Sequence, residues 1–468
     1  MPPSPQEARS EAIELQPQAS SSPSQMHEDG RLSSNEDVQQ GHDLPPIDGG
    51  RDAWLVLAGC ALLQVPVWGF SLAFGVFQEY YATHPDILKG GAEGNIAIIG
   101  TTSTGILYLS SPLTFTLLTR YPHLRTYCGP LGLFLSLTGF LLSSFSTTLW
   151  QLIATQGVLC AIGNGLLFSP STLYLDEWFV RRKGLAYGVM WSAKSAAGVG
   201  LPFAVGSCLE RFGVGVTLRG WTVLMFLITA PLLKLIKSRT PLPQNTRPRK
   251  LDLSFLRMPN FWMLQLGNII QSFGYFLPST YLSSYSTSTL GVSSTTGTLM
   301  ISLFNATSVV GGIILGMLTD HFAVADVILL SSIGSTLAVF LLWGLSTARV
   351  GVTLVTIFSI TYGFFAGGFS STWSGVLTEM KRASPSLETG LVFGLLAGGR
   401  GIGNVISGPL STVLIEGGKR AVDAHGGGVD RGGWGYDTKY GPLIIFTGVT
   451  ALLGGWGWMW RELRSMCA

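Results

Sequence analysis

Two cations stand in stretches of the chain that are otherwise almost free of charge. Lys194 lies in GLAYGVMWSAKSAAGVGLP, which starts at Gly184, and Arg400 lies in GLVFGLLAGGRGIGNVISGP, which starts at Gly390. Neither has an acid one helical turn away. Each falls about ten residues into its apolar segment, which at ~1.5 Å per residue is close to the middle of a ~30 Å hydrocarbon layer. A charge there costs roughly 2.5–3.5 kcal/mol to insert, so its presence points to function. Two cations facing one cavity would attract a carboxylate or another anion. Arg400 could hold it with a two-pronged hydrogen bond. The structural alternative is that both anchor helix packing through backbone carbonyls, and the sequence leaves the two readings open.

Polar and aromatic residues at helical spacing extend this candidate site. Gln64 and Trp68 are four apart and share a face, as do Gln271 and Tyr275. Asn164, Ser169, Asn268, Tyr362 and Trp373 sit in other apolar segments. Amides and large rings suit an organic molecule, although most such groups in helical bundles make interhelical contacts. No HExxH, paired acids or Ser/His set lies within the apolar segments, so the sequence argues against a membrane-embedded enzyme and calls for no cofactor. The five Cys are far apart, form no CxxC pair and read as small buried residues. Glu79, Asp176, Glu177, Asp320 and Glu379 all fall near segment ends. A proton coupled to the traffic of an anion would therefore ride on Glu79, on Lys194, or on the substrate itself.

The elements that must position these residues are long and apolar. The chain has 468 residues, of which 12% are charged, 11% are aromatic and 60 are Gly. Soluble domains carry about 25% charge. Gly at this level suits close helix packing in lipid. A net charge of +3 argues against a nucleic-acid partner. Apolar runs fall at 54–78, 96–118, 127–147, 150–173, 185–207, 217–236, 260–284, 298–319, 326–346, 351–377, 390–415 and 441–460. The expected class is an all-α membrane protein with twelve transmembrane helices. Residues 1–52 are rich in Ser, Pro and Gln and read as a disordered tail without a cleaved signal. Basic residues such as Arg181, Arg182, Lys183, Lys237 and Arg239 favour the tail's side, which predicts cytosolic termini. Residues 238–258 read as a basic, Pro-containing linker between halves 53–237 and 259–468. The two cation-bearing segments align without a gap, Gly184 on Gly390, Gly188 on Gly394 and Lys194 on Arg400, as parallel repeats would.

Several segments resemble the monocarboxylate porter branch of the major facilitator superfamily, specifically its fungal members. Asp48, Gly49 and Gly50 resemble the start of that branch's DGGxGW signature, although Arg51, Asp52, Ala53 and Trp54 alter the rest. WGFSLAFGVFQEYY (68–81), GNGLLFSPSTLYLDEWFVRRKGLAYG (163–188), GGRGIGNVISGPL (398–410) and KYGPLIIFTGVTALLGG (439–455) are similar to it. The resemblance covers nearly everything after residue 48. It implies two pseudo-symmetric six-helix halves and a monomeric carrier, proton-coupled or facilitative, working by alternating access in the plasma membrane. The substrate class it implies is a small organic molecule, most simply an organic anion, with efflux of a fungal secondary metabolite as the alternative. A membrane nutrient sensor is the rival from another class.

The departures from the family pattern are specific. The usual Asp-Arg pair after the second helix is replaced by Leu118, Thr119, Arg120 and Tyr121. The second-half copy keeps Asp320. The intramembrane Asp and Arg of animal lactate carriers have no match across residues 303–309, so lactate-type chemistry is not implied. Asp176, Arg181 and Arg182, with Glu177, Lys183 and Asp320, resemble the superfamily's cytosolic gate latch, whose charged loops pair in one state and part in another.

Overall fold

Apolar chain in lipid must satisfy every backbone N–H and C=O internally, which leaves the helix as the economical choice. A computed structural model describes residues 44–88, 96–241, 248–346, 350–424 and 434–467. Most of the tail expected over 1–52 lies outside the described residues, as do 425–433 of the Gly-rich segment near the end. The described chain is all-helical, with no strand. Its large hydrophobic side chains are widely exposed, for example Leu113 at 74% and Val413 at 66%. An apolar surface of that kind is adapted to lipid.

Helix α1 spans Gly50–Thr83. The second apolar run breaks at Ser110 into α2 (Ala97–Leu109) and α3 (Ser111–Arg120). Pro112 sits in the first turn of α3, where no intrahelical donor is required. Helix α4 is Arg125–Ser143, and α5 is Leu149–Trp178 with a π-helical stretch at Ile153–Leu159.

The fifth and sixth runs were expected as separate segments ending and starting near 207 and 217. They are two helices joined without a loop, α6 (Lys183–Leu235), with the break at the non-helical Gly213 between the expected ends. Gly213 has φ +72, a conformation that only glycine adopts without strain, so one residue absorbs the whole change of direction. The second half continues with α7 (Pro259–Leu290), α8 (Ser294–His321), α9 (Val324–Trp343) and α10 (Gly351–Ala383). It ends with α11 (Thr389–Ala424), α12 (Gly441–Leu453) and α13 (Trp456–Cys467). Among the described residues nine helices are long and apolar enough to cross a membrane. Helix α7 is outside that nine, in keeping with its Gln265, Asn268 and Gln271 and its many Ser and Thr residues.

Residues Pro46–Ala468 hold together as one unit. Helix α6 packs on α1 and α8, α8 packs on α10, and α11 is wedged between α7 and the pair α2 and α3. Glycine sets the closest of these crossings. Gly184 and Gly188 on α6 meet Gly312 and Gly316 on α8. A Cβ on Gly188 would lie 2.6 Å from the Gly312 carbonyl oxygen. Both helices carry a GxxxG spacing, which lets backbones approach without side chains between them.

Candidate functional site

The GGRGIG run explains how Arg400 enters the interior. Gly398 lies against Pro112, Gly399 against Gln265 and Ile269, and Gly401 against Tyr108, so α11 slides between its neighbours. Arg400 is completely buried. Its Nη1 donates to Gln271 Oε1 at 3.1 Å. The guanidinium carbon lies 4.0 Å from the centre of the Tyr275 ring, 5.6 Å from that of Phe276 and 5.9 Å from that of Phe369. Among the described residues its Nε and Nη2 meet no acceptor in good hydrogen-bond geometry, although the Tyr108 hydroxyl is within reach. A buried guanidinium with two unmet donors is costly unless something else supplies an acceptor.

Lys194 approaches from α6. Its side chain is partly exposed, and its ammonium lies 4.6 Å from the centre of the Trp68 ring and 5.4 Å from that of Trp191. It makes no ion pair among the described residues. Trp68 is fixed from behind: its Nε1 donates to Gln64 Oε1 at 3.0 Å, and Gln64 Nε2 donates to the Cys60 carbonyl at 2.9 Å. The Trp68 and Tyr108 rings lie 4.9 Å apart, and Tyr108 borders Arg400. The charges of Lys194 and Arg400 lie within electrostatic reach of one another. The ring faces lower the cost of holding two like charges in one place.

The remaining expected site residues divide by what their polar atoms do. Gln271 and Tyr275 contact Arg400 directly. Tyr362 stacks on Phe358 and Phe304 within electrostatic reach of Arg400 and Tyr275. Asn164 instead ties three helices together: its Nδ2 donates to the Val67 carbonyl at 3.0 Å and its Oδ1 accepts from Ser136 at 2.9 Å. Asn268 donates to the Leu396 carbonyl at 2.8 Å and accepts from Trp373 Nε1 at 3.2 Å. Ser169 donates to the Gly165 carbonyl and meets the Thr114 hydroxyl. Gln64 spends both ends of its amide on Trp68 and Cys60, so it supports the site from behind. Tyr108, Trp191, Phe276 and Phe369 join the site unanticipated. Trp191 precedes Lys194 by three residues, a spacing that could have flagged it.

A second cluster ties α8 to α6 and α5 to α11. The Asp320 carboxylate at the end of α8 accepts from the N–H of Gly184 at 2.6 Å and of Leu185 at 3.0 Å, at the start of α6. This is a carboxylate on a helix N-terminus, favourable by charge and by hydrogen bonding. Asp176 pairs with Lys183 at 2.5 Å and also accepts a hydrogen bond from Thr389, the first residue of α11. Arg181 and Arg182 have exposed side chains. Their backbone N–H groups, with that of Val180, donate to the Asp48 carboxylate at 2.9–3.0 Å. Asp48 in turn donates its own N–H to the Trp178 carbonyl at 3.0 Å. Its φ of 58 is the only left-handed value at a non-glycine residue among those described.

Of the expected linker, 242–247 lie outside the described residues, and 248–258 contact the ends of α3 and α10. Arg249 N–H donates to the Arg120 carbonyl at 2.9 Å, and Asp252 accepts from Ser386 at 2.5 Å and from Ser254 N–H at 2.9 Å. Those hydrogen bonds, that from Ser386 foremost, hold the Asp252 carboxyl well below the usual carboxylate range.

Two cavities of about 270 and 280 Å³ lie apart from the cations. One is bordered by Glu379, Trp460 and Arg461, and the other by Arg125, Tyr174 and Lys237.

A helical bundle with an apolar, lipid-adapted surface and two cations held among aromatic rings in its interior is the architecture of a membrane carrier. The chain belongs to the Major Facilitator Superfamily, whose profile matches residues 56–408. It is similar to the MFS-type transporter pynF of Aspergillus niger, at 29% identity over 80% of this chain and 84% of that protein. It is also similar to the fujikurins efflux protein of Gibberella fujikuroi, at 27% identity over 89% of this chain and 84% of that protein. An agnestins efflux protein of Paecilomyces divaricatus is 30% identical over 78% of this chain and 82% of that protein. Among solved structures, the human organic anion transporter MFSD10 superimposes with a TM-score of 0.61 at 13% identity, covering 87% of this chain and all of that one. The chain is a transporter of this superfamily, and its relatives include efflux proteins for fujikurins and agnestins.

Proposed function

We propose that this transporter exports an organic anion with a ring-bearing apolar body, held by Lys194 and Arg400. The carrying observation is the completely buried Arg400 guanidinium, two of whose donors meet no well-aligned acceptor among the described residues, with Lys194, unpaired among them, within electrostatic reach. A carboxylate would accept both free donors of the guanidinium fork. Trp68, Tyr108, Trp191 and Tyr275 would flank the apolar body. Two of its relatives are efflux proteins, which favours export as the direction.

The same reading has twelve spans in two halves joined by residues 238–258. Helices α2 and α3 count as one span in it, α6 as two and α12 and α13 as one. Both termini face the cytosol of a plasma-membrane monomer. Within the superfamily, the motifs around Asp48 and residues 163–188 favour the monocarboxylate porter branch. No carboxylate pairs with either cation among the described residues, so a coupled proton would travel on the anion or on Lys194.

Uptake of radiolabelled 1-naphthoate into proteoliposomes tests the site. Loss of a charge-assisted hydrogen bond predicts that Arg400→Gln and Lys194→Gln each lower uptake by about tenfold or more, with the protein still inserted. Uptake at the wild-type rate by both variants rejects the assignment.

A further inference from the structure

We propose that the preferred substrate is a dianion, with two separated acidic groups, one engaging Arg400 and the other Lys194. This deepens the anion reading above and rests on it. The argument is one of charge balance. The site brings together two cations and, among the described residues, no acid pairs with either. A single carboxylate on Arg400 would satisfy Nε and Nη2 and leave the Lys194 ammonium facing only the Trp68 and Trp191 rings. An unpaired cation in a low-dielectric site repels its like-charged neighbour and forgoes its own ion pair. A second acidic group on the same molecule removes both costs at once.

The cations are held by different walls, which makes the two contacts separate. Arg400 is fixed on one side by Gln271, Tyr275 and Phe369. Lys194 is fixed on the other by Trp68 and Trp191. Tyr108 joins the two sides: its ring lies 4.9 Å from that of Trp68, it packs on Gly401 beside Arg400 in the chain, and its hydroxyl is within reach of the guanidinium. A rigid ring carrying acids at two positions spans such a gap at little cost in conformational entropy. A ring with one acid can satisfy only one wall.

The test compares benzoate with phthalate, isophthalate and terephthalate. Binding to the purified, full-length protein in neutral-lipid nanodiscs is measured by calorimetry at constant ionic strength and pH 6.0, where an amine in an aromatic, buried setting is more fully protonated than at pH 7.5. Carboxyl groups with ordinary pKa values near 4 are ionised there. The expected result is that at least one diacid binds about tenfold or more tighter than benzoate, the value of one added charge-assisted contact. Arg400→Gln and Lys194→Gln should each bring that ratio close to one. If benzoate equals or exceeds all three diacids on the wild-type protein, the dianion proposal is overturned while the anion reading stands. If no carboxylate binds and 1-naphthoate is not transported, both fail together. The wild-type comparison is decisive even if a variant does not fold.

Discussion

At the scale of single residues, the site turns on which polar atoms are already spent. Gln64, Asn164, Asn268 and Gln271 look alike in the sequence, as amides within apolar runs. The structure separates them: the first three spend their amides on Trp68, on backbone carbonyls or on Trp373, whereas Gln271 faces Arg400 and leaves most of the guanidinium free. Gln271→Glu would supply an internal carboxylate at the 3.1 Å contact with Arg400 and compete with the substrate for it. It should lower 1-naphthoate uptake by about tenfold or more, and Gln271→Leu should lower it less. Equal, undiminished uptake in both would mean that the guanidinium does not receive the anion. Lys194 and Arg400 were legible because charge is so rare in these segments. Tyr108 and Phe369 were not, because rings are ordinary residents of membrane helices and only α11's close approach singles them out.

At the scale of elements, glycine and carboxylate do complementary work where α6 meets α8. Gly184, Gly188, Gly312 and Gly316 let α6 and α8 touch backbone to backbone, and Asp320 then reaches the N-terminus of α6. An isobutyl group at residue 188 would collide with the Gly312 carbonyl. Overpacking of this kind costs about 1–3 kcal/mol, so Gly188→Leu should hold this end apart and cut turnover by about tenfold. A cysteine introduced lower in the site should become reagent-accessible from the side of residue 320. Unaltered accessibility with normal turnover would show that the crossing is not part of the gate.

Asp48 acts on the same stretch from the other direction, accepting three successive N–H groups just before α6. Asp48→Ala should lower thermal stability by about 1–2 kcal/mol, as loss of a helix cap does, whereas Asp48→Asn, which keeps an acceptor and tolerates the left-handed backbone, should lose less. Calorimetric or light-scattering melting of the purified variants ranks them. The sequence offered Asp48 as part of a signature, but its partners lie 132–134 residues away and no local pattern points to them.

At the scale of the whole molecule, the helical class was plain from hydropathy, because lipid leaves few alternatives. Boundaries were less legible. The turn expected between 207 and 217 collapses to Gly213, since one glycine with positive φ can replace a loop. The polar α7 falls short of simple hydropathy because its Gln265, Asn268 and Gln271 make contacts inside the bundle.

The Asp320 seal has one further consequence. Its donors are peptide N–H groups at a helix start, not mobile cationic side chains. Added electrolyte weakens attraction between exposed ions, with a screening length of about 8 Å at physiological ionic strength, but acts far less on a short, partly buried contact of this sort. Carrier turnover should therefore change little between dilute and concentrated potassium chloride once substrate is saturating. A steep decline or rise with ionic strength would indicate that ion pairs, rather than this cap, set the pace of opening.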